Sequence, residues 1–309
     1  MNYEDVCELV FQENGPFWHL CTPGDLSGII FRDRDDYVLG MNAVALCAAE
    51  FEEFVSIYTF QIMSNHFHFV LSGEKEQAAA FFESLRKRLS RYFSSKYKTE
   101  EMKRVGYSII PVENLKYLRN LIAYVNRNGY VVNRDETPFS YRWGANAYYF
   151  NSLIHNGVNS MLSDCPIAFK RKLFRSRNFI CPDNYYLTYG YVSPLCYCKI
   201  ALAEQLFYDA HQYFNFVSRQ VESFASIAKE LGDKIILTDD EMYSTVLMVC
   251  RKEYNVEQPV QLNKDAKLRI AKLMHYDYNA SNKQIRRILR LDDHVIESLF
   301  PQRSVINRD

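Results

Sequence analysis

Two β-rich runs separated by only two residues place the strongest constraint on the fold of this chain. The runs cover residues 54–63 and 66–71, and only Ser64 and Asn65 lie between them. A connection this short joins antiparallel strands in a tight hairpin, because parallel strands need a much longer crossover. We therefore expect an antiparallel sheet built around this hairpin.

The elements on either side of the hairpin are predicted in the order strand, helix, strand, strand, helix, strand, helix. Beside the two hairpin strands, strands are predicted at residues 17–22 and 107–112, and helices at residues 33–51, 75–98 and 114–128. The first six elements match the split βαβ, ferredoxin-like arrangement, in which two helices cover one face of an antiparallel sheet. The predicted fold class is therefore α+β, with a ferredoxin-like sheet in residues 1–150.

The remainder of the chain is predicted to be mainly helical. Residues 129–183 are rich in Asn, Tyr and Arg without clear periodicity, and we interpret residues 151–183 as a connecting region. Residues 184–309 are interpreted as an all-helical accessory domain, with three short helices at 264–276, 282–289 and 293–300. Their spacing suits a helix-turn-helix that binds DNA, although Asp293 and Glu297 on the last helix would repel phosphate.

Composition indicates a globular protein without a membrane segment. Hydrophobic residues make up 48% of the chain and charged residues 24%. No run reaches the roughly 18 to 20 apolar residues that a membrane helix needs, and the acidic start does not resemble a signal peptide. The eight cysteines include no Cys-x-x-Cys pair. We therefore expect a cytoplasmic protein with reduced thiols.

The distribution of charge permits a nucleic-acid partner, although the formal net charge is zero. Residues 84–98 carry six basic and no acidic residues, and residues 169–177 carry five more basic residues. Basic clusters interleaved with aromatic residues suit single-stranded nucleic acid, because phosphates take the charge and bases stack on rings. A solvated helix face with ordinary core tyrosines explains the same pattern equally well.

A pair of histidines stands at the start of the second hairpin strand. Residues two apart on a strand face the same side, so His66 and His68 should point together while Phe67 and Phe69 point to the other face. Two imidazoles side by side supply part of a divalent-metal site. Two histidines that are simply hydrogen-bonded on a half-buried face remain the alternative.

The last predicted helix of the sheet domain offers a tyrosine and an asparagine one turn apart. Tyr124 and Asn128 share one stripe of this helix. The Asn128 amide could supply an oxygen ligand to a metal ion, while the Tyr124 phenol points at whatever that metal ion holds. A core tyrosine on an amphipathic helix is the alternative.

Four segments together resemble the REP-associated tyrosine transposases, which are single-tyrosine HUH endonucleases related to insertion-sequence transposases. The segment YTFQIMSNHFHFVL is similar to that family's Met-Pro-Asn-His-x-His strand pair, and YLRNLIAYVNRNGYV is similar to its catalytic helix. The opening FWHLCTPGD and the basic helix SLRKRLSRYFSSKYK also fit, so the resemblance covers roughly residues 15–150. Ser64 and Gly129 stand where the family has proline, and the Gly- and Trp-rich segment before the fourth strand is reduced to residues 104–107.

The resemblance implies a metal-assisted DNA strand transfer. His66 and His68 correspond to the metal ligands, Tyr124 to the nucleophile, and Asn128 to a further polar residue near the metal. We expect Mg²⁺ or Mn²⁺, since imidazole and oxygen donors suit these ions. The implied reaction cuts and rejoins single-stranded DNA beside an imperfect hairpin through a 5′-phosphotyrosine. The family includes monomers and dimers, so a homodimer stays open.

Two groups of residues are candidate DNA contacts, through phosphate for the cations and stacking for the rings. They are Arg86, Arg88, Arg91, Tyr92 and Tyr97 in the first basic run, and Lys170, Arg171 and Lys172 in the second. Two other functions remain open. One is a domesticated, non-catalytic protein that binds hairpin DNA or regulates transcription, and the other is a metal-dependent hydrolase without a covalent step.

Overall fold

A computed structural model of the chain describes residues 2–22, 30–132, 140–151, 154, 160–217, 239–278 and 280–301. For residues 128–132, 239–241 and 244 it describes the backbone alone. The chain forms two compact units. The first comprises Met1–Tyr130 and Arg134–Arg219, and the second comprises Val131–Asn133 and Gln220–Asp309. The unit that contains the sheet therefore extends well past the predicted boundary at residue 150.

The first unit is built on a four-stranded antiparallel sheet. Its strands are β1 (Phe17–Cys21), β2 (Val55–Ile62), β3 (Phe67–Gly73) and β4 (Ser108–Val112). Their order across the sheet is β2-β3-β1-β4, and every neighbouring pair is antiparallel. The predicted α+β class and the tight β2–β3 hairpin are therefore confirmed.

Five helices accompany the sheet strands along the chain. They are α1 (Tyr3–Asn14), α2 (Arg34–Glu50), α3 (Lys75–Tyr97), α4 (Glu101–Arg104) and α5 (Leu115–Val132). Asp33 and Asn114 accept hydrogen bonds from the first turns of α2 and α5, at 3.0 Å and 2.8 Å, as N-capping side chains do. Helix α1 precedes the first predicted element and was not expected.

One face of the sheet is an aromatic core beneath α2 and α3. On β3, Phe67 packs edge-on against Phe82 of α3, and Phe69 packs edge-on against Phe81. Both β3 side chains are fully buried. The period-two alternation of β3 therefore sends its phenylalanines to this face and His68 to the other, as the sequence predicts.

One of the two edge strands of the sheet, β2, is covered by a later part of the chain. The Ile62 amide donates to Trp143 O at 2.8 Å, and the Ala145 amide donates to Phe60 O at 3.0 Å. Further along β2, the Lys199 amide donates to Ile57 O at 2.8 Å. An exposed edge strand invites pairing with other chains, so this cover satisfies a backbone that would otherwise be open.

Short elements make up the rest of the first unit. They are 3₁₀ turns at Asn146–Tyr148 and Pro194–Cys196, a small hairpin of β5 (Leu187–Thr188) and β6 (Tyr191–Val192), and helices α6 (Ile167–Phe174), α7 (Ile200–Glu204) and α8 (Ala210–Val217). Much of the predicted connecting region and the beginning of the predicted accessory domain therefore belong to the compact unit of the sheet.

The described part of the second unit is helical. It contains α9 (Asp239–Tyr254), a 3₁₀ turn at Pro259–Gln261, α10 (Lys264–Tyr276), α11 (Asn282–Leu289) and α12 (Asp293–Leu299). Ser281 caps α11, and Arg286 of α11 pairs with Asp293 of α12 at 2.8 Å. Nowhere in the described ranges is a helix both long and apolar enough to cross a membrane.

Candidate functional site

The structure brings His66, His68 and Tyr124 together. The ring centroids of His66 and His68 lie 4.9 Å apart, and those of His68 and Tyr124 lie 5.5 Å apart. Both pairs are nearly perpendicular, at 88° and 87°. Strand β3 and helix α5 are distant in sequence, so this grouping is a product of the tertiary fold.

A third histidine, His19 on β1, belongs to the same group. Cys21 is the register partner of His68, and His19 lies two residues before Cys21 and therefore on the same face. Its Nε2 is 3.1 Å from Nδ1 of His68, and its ring lies 6.4 Å from the ring of Tyr124. The sequence analysis did not identify His19 as a site residue. Two signals could have found it: the alternation of β1 places His19 on one face of the sheet, and the ferredoxin-like order places β1 next to β3.

Hydrogen bonding orients the ring of His66. Nδ1 of His66 is 2.7 Å from Oδ1 of Asn65. An amide oxygen only accepts hydrogen bonds, so Nδ1 donates, and when the ring is neutral its lone pair is on Nε2. A metal-binding histidine commonly donates from its other ring nitrogen to an oxygen in this way.

Burial keeps His68 uncharged near neutral pH. His68 is 2% exposed and Tyr124 is 4% exposed, whereas His66 is partly exposed. Burial, assisted by the neighbouring charge of His66, lowers the pKa of His68 well below its usual range. His68 is therefore a neutral imidazole, which is the form that coordinates metal ions.

A buried polar network holds α5 against the sheet beside Tyr124. The Thr59 hydroxyl donates to Asn126 Oδ1, and Gln61 Nε2 donates to the main-chain oxygen of Asn126 at 3.0 Å. Asn126 Nδ2 in turn donates to the Tyr213 hydroxyl at 3.0 Å. Since Asn126 is fully buried and two residues from Tyr124, this network fixes how the helix presents the tyrosine.

The remaining predicted metal ligand, Asn128, lies on α5 one turn beyond Tyr124, and its side chain falls outside the described residues. In the described part of the chain, no three His, Cys, Asp or Glu side chains cluster as a complete metal site. His66 and His68 supply two imidazole nitrogen donors, a type of ligand that binds divalent cations. A cation held there would need oxygen ligands from an amide, water or bound phosphate.

The predicted DNA contacts of the first basic run lie on α3, across the sheet from the histidines. Arg86 donates to Glu83 at 2.6 Å and to Lys103 O at 2.8 Å, and Arg88 pairs with Glu50 at 3.0 Å. Arg91, in contrast, is exposed. These contacts show that Arg86 and Arg88 are engaged within the protein.

The two tyrosines predicted to stack on bases are bonded to an acidic residue of α2. The Tyr92 and Tyr97 hydroxyls donate to Asp36 at 3.0 Å and 2.8 Å, and Lys96 pairs with the same carboxylate at 2.6 Å. Asp36 is fully buried. This cluster ties α3 to α2, so the sequence pattern of basic and aromatic residues here has a structural role.

The second basic run lies on α6, which also packs on α2. Its predicted contacts Lys170, Arg171 and Lys172 have partly or fully exposed side chains. A cavity of about 520 Å³ is lined by Arg88 and Arg91 of the first run and by Arg175 of the second. The fold therefore unites the two basic runs with each other but not with the histidine group.

Comparison with models of protein families, with curated protein sequences and with solved structures finds no match for this chain.

Proposed function

We propose that this chain is a single-tyrosine HUH endonuclease of the transposase type, which cuts and rejoins single-stranded DNA through a covalent phosphotyrosine. One observation carries the proposal. His68 on the central strand β3 and His66 directly before that strand have ring centroids 4.9 Å apart, and the tyrosine of a separate helix packs edge-on against His68, at 5.5 Å between ring centroids. The resemblance to the REP-associated tyrosine transposases assigns a role in this chemistry to these same three residues, His66, His68 and Tyr124.

The arrangement of the sheet supports the same proposal. The strand order β2-β3-β1-β4, with α2 and α3 between successive strands and on one face, agrees with a ferredoxin-like HUH core. In such a core the histidine strand is central, and the helix after the last strand lies on the face left uncovered. Helix α5 has this position here, because Tyr124 contacts His68 on the face opposite Phe69.

In the proposed reaction, the Tyr124 phenol oxygen attacks the scissile phosphorus. The phenol loses its proton, a bond forms between its oxygen and the 5′ phosphate, and the 3′ oxygen leaves with a proton as a free hydroxyl. Attack by a 3′ hydroxyl on the phosphotyrosine reverses the step and joins strands. The energy of the broken bond is retained in the phosphotyrosine, so no nucleotide cofactor is needed.

His66 and His68, with Asn128, would hold Mg²⁺ or Mn²⁺. When bound, the cation would polarise the scissile phosphate and offset the charge of the transition state. The phenol needs this help, because its ordinary pKa of about 10 makes it a poor nucleophile at neutral pH. His66 is the partly exposed member of the group, so the phosphate would approach from its side.

Arg91 of α3 and the basic residues of α6 would bind the DNA outside the reacting phosphate. They lie on the opposite face of the sheet, so a DNA that contacts both regions has to pass around the sheet. An imperfect hairpin with a single-stranded extension suits that path, since the duplex and the flexible strand can lie on different faces. A cytoplasmic location and a homodimer are compatible with this activity.

The proposal is tested with labelled hairpin oligonucleotides from DNA flanking the gene, analysed on a denaturing gel with and without Mn²⁺. We expect a metal-dependent, protease-sensitive covalent adduct with the wild-type chain. Tyr124→Phe should form no adduct, while Tyr117→Phe, a matched change on the same helix, should form it normally.

The same gel separates the other candidate functions. Cleavage that persists in Tyr124→Phe without an adduct would indicate a metal-dependent hydrolase. Tight hairpin binding without any cleavage by the wild-type chain would instead indicate a non-catalytic hairpin-binding protein. Either result would contradict the proposed covalent mechanism.

A further inference from the structure

His19 and His68 are buried side chains that bond to each other beneath the candidate site. His19 is 0% exposed and His68 is 2% exposed, and their rings are nearly parallel at 17°. The 3.1 Å separation of His19 Nε2 and His68 Nδ1 is that of a hydrogen bond. Because both residues lie on paired strands of the sheet, the backbone ladder between β1 and β3 holds this geometry in place.

The direction of this hydrogen bond decides what His68 can do. If Nδ1 of His68 donates, the lone pair of His68 is on Nε2 and can bind a cation. If Nδ1 accepts instead, Nε2 carries the proton and cannot bind one. His66 is not subject to this choice, because its partner, the Asn65 amide oxygen, only accepts. The partner of His68 is an imidazole, which can play either part.

We propose that His19 is a positioning residue that accepts the Nδ1 proton of His68 and so holds the Nε2 lone pair of His68 ready for the metal ion. The inference rests on the proposed function, because it requires a cation at His66 and His68. His19 would not itself be a ligand of that cation. It sets the tautomer and the ring angle of a residue that would be one, which is how a second layer of partners tunes a metal ligand.

Two substitutions separate the hydrogen bond from simple packing. His19→Phe keeps a planar ring of similar size but removes the acceptor. His19→Gln places an amide oxygen near the position of Nε2 and therefore keeps an acceptor for the His68 proton. His68→Ala removes the ligand itself and serves as the reference for complete loss.

The test measures Mn²⁺ binding to the full chain by titration calorimetry without DNA, with thermal unfolding of each variant as a check of folding. We expect His19→Phe to bind Mn²⁺ roughly 10- to 100-fold more weakly than the wild type, as for other outer-layer partners of metal ligands. His19→Gln should recover most of that loss.

Two results would overturn the inference while the proposed function stands. One is Mn²⁺ affinity in His19→Phe within twofold of the wild type, and the other is equal weakening in His19→Gln and His19→Phe. Absence of Mn²⁺ binding by the wild-type chain would overturn the metal step of the proposed function together with this inference. The calorimetry of the wild type therefore distinguishes the two failures.

Discussion

Removing the Asn126 side chain should destabilise the first unit strongly, because this side chain connects α5 to both the sheet and α8. Asn126→Ala deletes the acceptor of the Thr59 hydroxyl and the donor to the Tyr213 hydroxyl. Both hydroxyls belong to residues no more than 1% exposed. Water therefore cannot replace the lost partner without a rearrangement of the core.

The expected magnitude follows from these two orphaned groups. Each buried polar group left without a partner costs about 1–3 kcal/mol, and the better helix propensity of alanine returns about 0.5 kcal/mol. The free energy of unfolding should therefore fall by about 1.5–5.5 kcal/mol. Thr59→Val, which removes only one hydrogen bond and keeps the side-chain shape, should lower it by about 1–2 kcal/mol.

Tryptophan fluorescence during urea denaturation measures this change in the correct unit. The chain has two tryptophans, Trp18 and Trp143, and both lie in the first unit. Their emission therefore follows the unfolding of the sheet without a direct signal from the second unit. The double variant should lose less than the sum of the two single losses, because Thr59 and Asn126 share one hydrogen bond.

A loss below about 0.5 kcal/mol in Asn126→Ala would refute this reasoning, since surface substitutions typically stay within that range. Additive losses in the double variant would likewise show that the two side chains do not act through a shared bond.

Three further predictions use the same preparations. Gly144→Ala should lower the free energy of unfolding by about 1–3 kcal/mol, because the new Cβ would lie 2.5 Å from Phe60 O. In the control Gly106→Ala the new Cβ meets no atom within 4 Å, so its stability should not change. Equal free energies of unfolding for the two variants in urea denaturation would contradict this prediction. The pKa of His68 is lowered in the folded state, so unfolding takes up a proton at acidic pH. The free energy of unfolding should therefore fall below about pH 6.5, by at most about 1.4 kcal/mol per pH unit. A free energy of unfolding in urea that stays constant between about pH 7.5 and pH 5.5 would contradict this prediction. Arg91→Gln should weaken hairpin binding and reduce the slope of log affinity against log salt by about one, and an unchanged slope would exclude a phosphate contact.

Local sequence patterns determined much of the fold and part of the candidate site. The two-residue connection required an antiparallel hairpin, and period-two alternation placed His68 on one face of β3 with Phe67 and Phe69 on the other. Helical spacing placed Tyr124 in the helix that follows the last strand. These features depend on residues that are close together in the sequence, so they can be inferred from one amino-acid sequence.

Only the tertiary structure decided which distant residues meet this site. His19 joins His68 because β1 pairs with β3 in one register, and Asn126 meets Thr59 because α5 lies on that face of β2. The basic residues of α3 lie across the sheet because Phe81 and Phe82 of the same helix pack on the opposite face. Strand register and helix packing are selected because together they bury apolar surface and pair backbone groups over the whole unit. The sequence of a single segment does not specify its partners in that arrangement.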